Sequence, residues 1–222
     1  MIIKSKPLSP FWFKFVAGIN TFLVNRTIHP KVEPVELKPG HSYILMCNHY
    51  SFWDGAWAFY LCSNFFYKKD GMRKLYIMSV KKQMLNKKWL RRLGSFSIDP
   101  GKRSITESFD YAGEILSTPG NLLLYYPQGE LESIYIRHIK FDAGISEIIA
   151  RTQGKCQLIW CSSFAQYFEN FRTSVYTYML DCGTNQHFDF EAIKQNINQH
   201  HLKSMARTTR YTVEPKDVSF ND

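Results

Sequence analysis

The sequence has no uninterrupted run of the roughly 18 to 20 apolar residues that a membrane-spanning helix needs. Its most apolar stretch, MIIKSKPLSPFWFKFVAGINTFLVNR, is interrupted by Lys14 and Asn20. This stretch also has no small-residue cleavage site of the kind that ends a signal peptide. We therefore expect neither a transmembrane span nor a signal peptide.

Cysteine pairs, nucleophile turns and nucleic-acid signatures are also missing. The five cysteines are odd in number and scattered, which is typical of reduced packing residues in a cytosolic protein. Cys156 and Cys161 have no second pair beside them, so the spacing does not predict a zinc site. The chain has no G-x-S-x-G nucleophile turn, which disfavours a hydrolase. It contains no helix-turn-helix, zinc finger or RNA-binding signature either, which disfavours a nucleic acid partner.

The chain is rich in aromatic residues and has an excess of positive charge. Of its 222 residues, 45% are hydrophobic and 16% aromatic, which is sufficient for one domain with a hydrophobic core. Its 28 lysine and arginine residues against 19 acidic residues give a formal net charge of +9. That excess favours an anionic partner, and charge alone leaves nucleic acid, a phosphorylated substrate and an acidic membrane surface open.

Residues 1–28 are predicted to form an amphipathic helix. Aromatic residues with flanking cations suit the headgroup boundary of a bilayer, where the helix would dock. The same stripe also suits packing on the domain's own core, and both alternatives stay open. The apolar residues at helical spacing are Trp12, Phe15, Val16, Ile19, Phe22 and Leu23, opposite Lys14, Gly18, Thr21 and Asn25.

Residues 29–222 are predicted to form a single α/β domain, because short β-like runs alternate with longer helical patterns. This alternation indicates a largely parallel central sheet flanked by helices. Ser104 with Glu107 predicts a capping box, Asp189 predicts an N-cap, and an extended tail is expected after about residue 208. Strands are predicted at 42–47, 74–80, 94–98, 122–126, 157–163 and 174–180, and helices near 51–68, 80–92, 104–117, 142–152 and 190–207.

Unusual polar residues follow three of the predicted strands, at the edge where ligands bind in parallel α/β sheets. The first loop contains His49, and Asp54 follows in the first turn of the next helix. If Ser51 caps that helix, the Asp54 carboxylate folds back to hydrogen-bond the imidazole, which sets the His49 tautomer and stabilises its protonated form. The Ser51-x-x-Asp54 spacing also fits a plain capping pattern.

The second loop contains Asp99, Lys102 and Arg103. Its two cations fall at the start of a helix, where free backbone N–H groups favour an anion such as phosphate. A turn with two solvated cations is the alternative interpretation.

The third loop contains Pro127, Gly129 and Glu130. A glycine here lets the backbone approach a ligand closely. An acid such as Glu130 at a buried strand end would require a partner.

Together the three loops resemble, in order and spacing, the motif blocks of the glycerolipid acyltransferases. The matching residues are Asn48-His49-x-x-x-x-Asp54, Ile98-Asp99 followed by basic residues, and Pro127-x-Gly129. The blocks span about residues 40 to 145, and the first, with its H-x-x-x-x-D motif, is the most specific. The group that the chain resembles most is the bacterial lysophosphatidate (1-acylglycerol-3-phosphate) acyltransferases of the PlsC type.

The resemblance implies an O-acyltransferase of membrane phospholipid biosynthesis. Such an enzyme moves a fatty acyl group from acyl-CoA or acyl carrier protein to a hydroxyl of a lysophospholipid, without a metal or another cofactor. His49 would be the general base and Asp54 its orienting partner. The residues that would bind substrate are Asp99, Lys102, Arg103, Pro127, Gly129 and Glu130.

The resemblance also implies a peripheral protein on the cytoplasmic face of the inner membrane, with anionic lipids as partners and no nucleic acid. Two positions depart from the family pattern. Pro100 stands where an arginine is usual, so Lys102 or Arg103 would bind the phosphate instead. Gln128 stands where the third block usually has glutamate. The acceptor stays open among lysophosphatidate, another lysophospholipid, an aminolipid and a glycolipid, and a non-enzymatic protein that binds anionic lipid is the competing interpretation.

Overall fold

Seven strands form one sheet in the computed structural model, which describes residues 2–69, 71–168 and 171–209. The strands are β1 (Ile28–Glu33), β2 (Ser42–Cys47), β3 (Lys74–Val80), β4 (Ser95–Ile98), β5 (Asn121–Tyr125), β6 (Cys156–Gln166) and β7 (Thr173–Thr184). Their order across the sheet is β1-β7-β6-β2-β5-β3-β4, and every neighbouring pair is parallel except β6 with β7. The predicted α/β class with a largely parallel sheet is confirmed.

Helices cover both faces of this sheet. In the central strand β2, Leu45 contributes to one hydrophobic core and Ile44 and Met46 to the other, because successive side chains of a strand point to opposite faces. A strand buried on both faces reads as a continuous apolar run, as β2 does. The α-helices are α1 (Pro10–Thr27), α2 (Asp54–Leu61), α3 (Lys81–Asn86), α4 (Ile105–Leu116), α5 (Gly144–Arg151) and α6 (Phe190–Thr208); a π-helical segment, Cys62–Tyr67, continues α2, and a 3-10 segment, Lys88–Leu93, follows α3.

Several local predictions need correction. Strand β1 was not predicted, because Pro30 interrupts its pattern; proline is tolerated there because β1 lies at the sheet edge. The capping box at Ser104 does not form: its backbone is helical, with φ −67° and ψ −5°, and its side chain makes no capping bond. The N-cap at Asp189 is confirmed, since its carboxylate accepts the Ala192 N–H at 3.0 Å. The tail expected after about residue 208 lies outside the described residues from residue 210 on.

Helix α1 packs on the domain through a face that the sequence analysis did not select. Phe13, Ala17 and Val24 are buried, and the Phe13 ring lies 5.3 Å from that of Phe59 in α2, measured between centroids. Between these two helices, the Asn20 side-chain amide donates to the Ala56 carbonyl at 3.1 Å. The predicted aromatic stripe is therefore not the core-facing side, and most of it is exposed. Within the described ranges, no helix combines the length and the hydropathy needed to cross a bilayer.

A buried histidine connects α6 to the loop after β5. His201 has no exposed surface; its Nδ1 lies 3.1 Å from the Ser162 hydroxyl oxygen and its Nε2 lies 3.1 Å from the Ile136 carbonyl oxygen. Burial lowers the pKa of His201 to about 4, so the imidazole is neutral at pH 7. The Ile136 carbonyl only accepts, so Nε2 carries the single ring proton and Nδ1 accepts the Ser162 hydroxyl proton, while the Ser162 oxygen accepts the Trp160 indole N–H at 2.8 Å.

Acid is expected to destabilise the fold through His201. The unfolded chain takes up a proton near the ordinary pKa of 6.5, whereas the native protein takes it up only near 4. The free energy of unfolding therefore falls as the pH decreases through this window, by up to about 3 kcal/mol at about 1.4 kcal/mol per pKa unit. Urea denaturation at about pH 7 and about pH 4.5 measures this change. The free energy of unfolding should depend less on pH in His201→Gln than in the wild type. An equal dependence in both proteins would contradict the assignment.

Candidate active site

His49 and Asp54, which the sequence analysis paired, are in direct contact. The Nδ1 atom of His49 lies 2.8 Å from Oδ2 of Asp54. His49 belongs to the loop after β2, and Asp54 is the first residue of α2. The Asp54 side chain is buried, whereas that of His49 is 27% exposed. The imidazole is thus accessible from solvent, while the carboxylate that orients it is not.

The same carboxylate also holds the loop. Its Oδ2 accepts the backbone N–H groups of Tyr50 at 2.7 Å and Ser51 at 2.8 Å. Hydrogen bonds to a charged group contribute about 1.5–3 kcal/mol each, which offsets the cost of burying the carboxylate. Because a carboxylate only accepts, the shared proton belongs to Nδ1 of His49, and Nε2 carries the free lone pair. In the described part of the chain, no residue hydrogen-bonds to Nε2.

Ser51 does not cap α2 in the expected way. Its hydroxyl oxygen accepts the Trp53 N–H at 3.1 Å, and Trp53, the residue before the helix, makes no side-chain cap. One half of the capping pattern forms, since the Asp54 carboxylate accepts the Ser51 N–H. A single oxygen of the Asp54 carboxylate therefore accepts the loop N–H groups and contacts the imidazole. The capping pattern and the His49–Asp54 pair are parts of one arrangement.

Residues in or directly after the neighbouring strands hold this loop from both sides. The Asn48 side chain accepts the Ser163 N–H of β6 at 2.8 Å and donates to the Ser163 carbonyl at 2.9 Å. On the other side the Tyr126 ring, directly after β5, packs against the His49 ring at an angle of 31° with centroids 4.4 Å apart, and its hydroxyl donates to the Asp54 carbonyl at 3.2 Å. Burial raises the pKa of the Tyr126 hydroxyl well above its ordinary value, so this group remains a donor.

The third loop contacts His49 through two residues that the sequence analysis did not select. Oε1 of Gln128 accepts the His49 N–H at 2.7 Å, and Nε2 of the same side chain donates to the Glu132 carboxylate. The Glu132 N–H in turn donates to the His49 carbonyl at 2.9 Å. The departure of residue 128 from the motif was a usable signal for Gln128, whereas no pattern in the sequence distinguished Glu132.

The predicted residues of the third loop are close to this contact but differ in exposure. Pro127 is buried, and Gly129 forms a turn at φ +75°, a left-handed conformation that favours glycine. Glu130 is exposed, and its side chain has no partner in the described part of the chain. The expectation of a buried acid at position 130 is wrong, because the chain has already turned outward at Gly129.

The cysteines behind the site are packing residues, as expected. Cys47 ends β2 opposite Cys161 of β6, and both are buried, as is Cys62. Burial raises the pKa of the Cys62 and Cys161 thiols well above the ordinary value, so they remain protonated at neutral pH. Among the described residues, no group of three His, Cys, Asp or Glu side chains is arranged to hold a metal.

Comparison with known proteins identifies the family. Residues 29–162, more than half of the chain, match the Acyltransferase family model. The chain belongs to the Acyltransferase family. This membership confirms the family that the motif blocks predicted, although no curated protein sequence matches the chain.

The Acyltransferase fold is also found in a similar solved structure. The 1-acyl-sn-glycerophosphate (LPA) acyltransferase PlsC from Thermotoga maritima superposes with a TM-score of 0.60, over 90% of this chain and 81% of that chain. The two sequences are 11% identical. At this identity the similarity establishes a common fold.

The second motif block of this Acyltransferase member lies farther from His49. Strand β4, which precedes the block, is separated from β2 by β5 and β3. Three strand spacings of about 4.8 Å place the two loops roughly 14 Å apart. Lys102 and Arg103 are exposed, and neither makes an ion pair with another described residue, whereas Asp99 lies 3.9 Å from the Lys81 ammonium. The structure thus joins the first and third blocks directly, and the second lies along the same sheet edge.

Neutral His49 is expected to carry its proton on Nδ1, because the Asp54 carboxylate only accepts. Two-bond ¹⁵N–¹H correlation spectra distinguish the two tautomers of the ring. Asp54→Ala removes the acceptor and should redistribute the proton between the two nitrogens. His41, which precedes β2 at its other end, provides a ring that should not respond. A proton on Nε2 of His49 in the wild-type protein would contradict the assignment.

Proposed function

We propose that this protein transfers a fatty acyl group from acyl-CoA or acyl carrier protein to a hydroxyl of a lysophospholipid, with lysophosphatidate as the model acceptor. The observation that carries the proposal is the contact of the accessible His49 imidazole with the buried Asp54 carboxylate. Membership in the Acyltransferase family supports the reaction class. The PlsC-like fold supports a lipid as the acceptor class.

His49 acts as the general base in the proposed reaction. Nε2 takes the proton from the acceptor hydroxyl while its oxygen attacks the thioester carbonyl carbon. The carbon–sulfur bond then breaks, and the imidazolium returns the proton to the departing thiolate. Because the acceptor oxygen attacks the thioester directly, no covalent enzyme intermediate forms. Between these two proton transfers, the Asp54 carboxylate stabilises the imidazolium by accepting a hydrogen bond from Nδ1–H. Proton transfer of this type typically contributes about 10²- to 10⁴-fold to the rate.

We assign the phosphate of the acceptor to Lys102 and Arg103. Both cations are exposed and unpaired within the described part of the chain, and Pro100 replaces the arginine that the family usually has. Lysine and arginine side chains are long enough to cover much of the separation between the second loop and His49. The Pro127–Glu130 turn, which adjoins His49, forms the remaining part of the proposed substrate site.

His49→Ala is expected to reduce acyl transfer by at least about 10²-fold. The assay offers acyl-CoA or acyl carrier protein as donor and, as acceptors, lysophosphatidate, other lysophospholipids, an aminolipid and a glycolipid, with products identified by mass spectrometry. His41→Ala is the matched control, because His41 lies at the opposite end of the same strand. Wild-type turnover by His49→Ala would refute the general-base assignment, and the acceptor panel decides the substrate.

The proposed reaction requires access to lipid, and we propose that α1 docks peripherally on the cytoplasmic face of the inner membrane. Phe11 and Phe22 are 71% and 68% exposed, and Trp12, Phe15, Ile19 and Leu23 are each about half exposed. The same helix carries the cations Lys14 and Arg26. Exposed aromatic residues beside cations match the chemistry of an anionic bilayer surface.

We assign two further segments to the proposed docking surface. Residues 81–92, KKQMLNKKWLRR, contain six cations and no acid, and Leu85 and Trp89 among them are more than half exposed. Phe52 and Trp53, which precede Asp54, are also exposed, and the Lys87 ammonium lies 5.5 Å from the centre of the Phe52 ring. Each cation near an anionic surface contributes about 1 kcal/mol, which favours an orientation with His49 toward the lipid.

Trp12→Ser with Phe15→Ser is expected to weaken co-sedimentation with anionic phospholipid vesicles by at least about tenfold, because each buried aromatic side chain contributes about 1.5–3 kcal/mol. Binding should also weaken in high salt and with neutral vesicles. Tyr135→Ser removes an exposed aromatic outside the proposed surface and is the control. Unchanged sedimentation of the double variant, or a gel shift with DNA or RNA, would contradict the membrane assignment.

A further inference from the structure

The hydrogen bonds around the His49 backbone involve an acid that the three motif blocks do not include. We propose that Glu132 is a positioning residue, which acts through Gln128 to fix the backbone, and thereby the imidazole, of His49. The proposal rests on the proposed acyl transfer for its activity readout. It concerns neither substrate binding nor proton transfer by Glu132 itself.

The three residues form a closed ring. Gln128 accepts the His49 N–H at 2.7 Å, Gln128 donates to the Glu132 carboxylate, and the Glu132 N–H donates to the His49 carbonyl at 2.9 Å. Both polar backbone groups of His49 are therefore occupied by one loop. The Gln128 side chain is buried, so both ends of its amide need partners within the protein. Glu132 supplies the partner for the donor end.

Glu132 also decides which end of the Gln128 amide faces His49. A glutamine side chain can rotate to present either its oxygen or its NH₂ group, and the NH₂ group would oppose the His49 N–H, donor against donor. The Glu132 carboxylate only accepts, so it attracts the NH₂ end and leaves the oxygen for His49. A glutamate at position 128 would need no such selection, since both of its oxygens accept. In this chain, the acid that the third block usually places before Gly129 is replaced by the pair Gln128 and Glu132.

Because of this arrangement, we expect glutamate at position 128, the usual family residue, to lower the activity of this chain. Gln128→Glu restores the motif but puts two carboxyl groups side by side, where they repel each other and, while both are ionised, neither donates. Gln128→Glu combined with Glu132→Gln exchanges the two side chains, so that the amide now at position 132 donates to the carboxylate now at position 128 and the ring closes again. Glu132→Gln alone keeps an amide oxygen as an acceptor for Gln128, whereas Glu132→Leu removes it.

The experiment measures kcat and KM for acyl transfer to lysophosphatidate, or to whichever acceptor the panel identifies. Glu132→Leu and Gln128→Glu are expected to lower kcat about tenfold or more with little change in KM, because a displaced imidazole slows proton transfer. Glu132→Gln and the exchanged pair are expected to remain within about threefold of the wild type. Ser133→Ala, which removes only a bond to the Tyr135 N–H, is the control.

A second readout does not depend on activity. Hydrogen–deuterium exchange of peptides covering residues 48–53 should be about tenfold faster in Glu132→Leu and unchanged in Glu132→Gln, with thermal unfolding confirming that each variant is folded. If the wild type transfers no acyl group to any acceptor, the proposed function fails and exchange alone decides the role of Glu132.

Three outcomes would overturn the proposal. The first is a loss of kcat in Glu132→Gln equal to that in Glu132→Leu, which would assign the charge of Glu132 to the substrate. The second is a gain of activity in Gln128→Glu, and the third is wild-type exchange of residues 48–53 in folded Glu132→Leu.

Discussion

The Asp54 carboxylate makes the contact on which the geometry of the site depends. It is buried at the first turn of α2, where an unpaired charge would be costly, and the loop before it supplies two backbone N–H groups and the His49 ring. Satisfying this one oxygen bends residues 48–53 back over the helix start. The bend brings the imidazole to a surface position while its orienting partner remains out of water.

The sheet order turns this local bend into a composite site. Strand β2 lies between β5 and β6, so the loops after all three strands end at the same edge. Asn48 is hydrogen-bonded to β6, and the His49 ring packs against Tyr126, which follows β5. The burial of all three strands restricts their register through packing, because a slip of one residue would exchange the side chains that fill the two hydrophobic cores. The rigid sheet thereby supports a loop that has little internal structure of its own.

The predictable features were those that depend on local sequence. The runs 42–47 and 74–80 became strands with the predicted bounds, since continuous apolar character bounded by turn residues is a local pattern. Strand β1 was hidden by Pro30, and the burial of α1 depends on which face meets α2 rather than on which face is most apolar. At Ser104 a good capping sequence failed because the preceding turn enters the helix with helical dihedral angles.

For the site, the sequence by itself determined the residue types and their spacing: an imidazole at a strand end, a carboxylate five residues later, and companion loops after two other strands. Only the tertiary structure decided which groups meet. The sequence favoured Glu130, which directly follows Gly129, yet the structure exposes Glu130 and brings Glu132 to Gln128. The reason is physical: the hydrogen bond between His49 and Gln128 joins residues 79 positions apart, and it depends on strand order and loop direction, which no local pattern encodes.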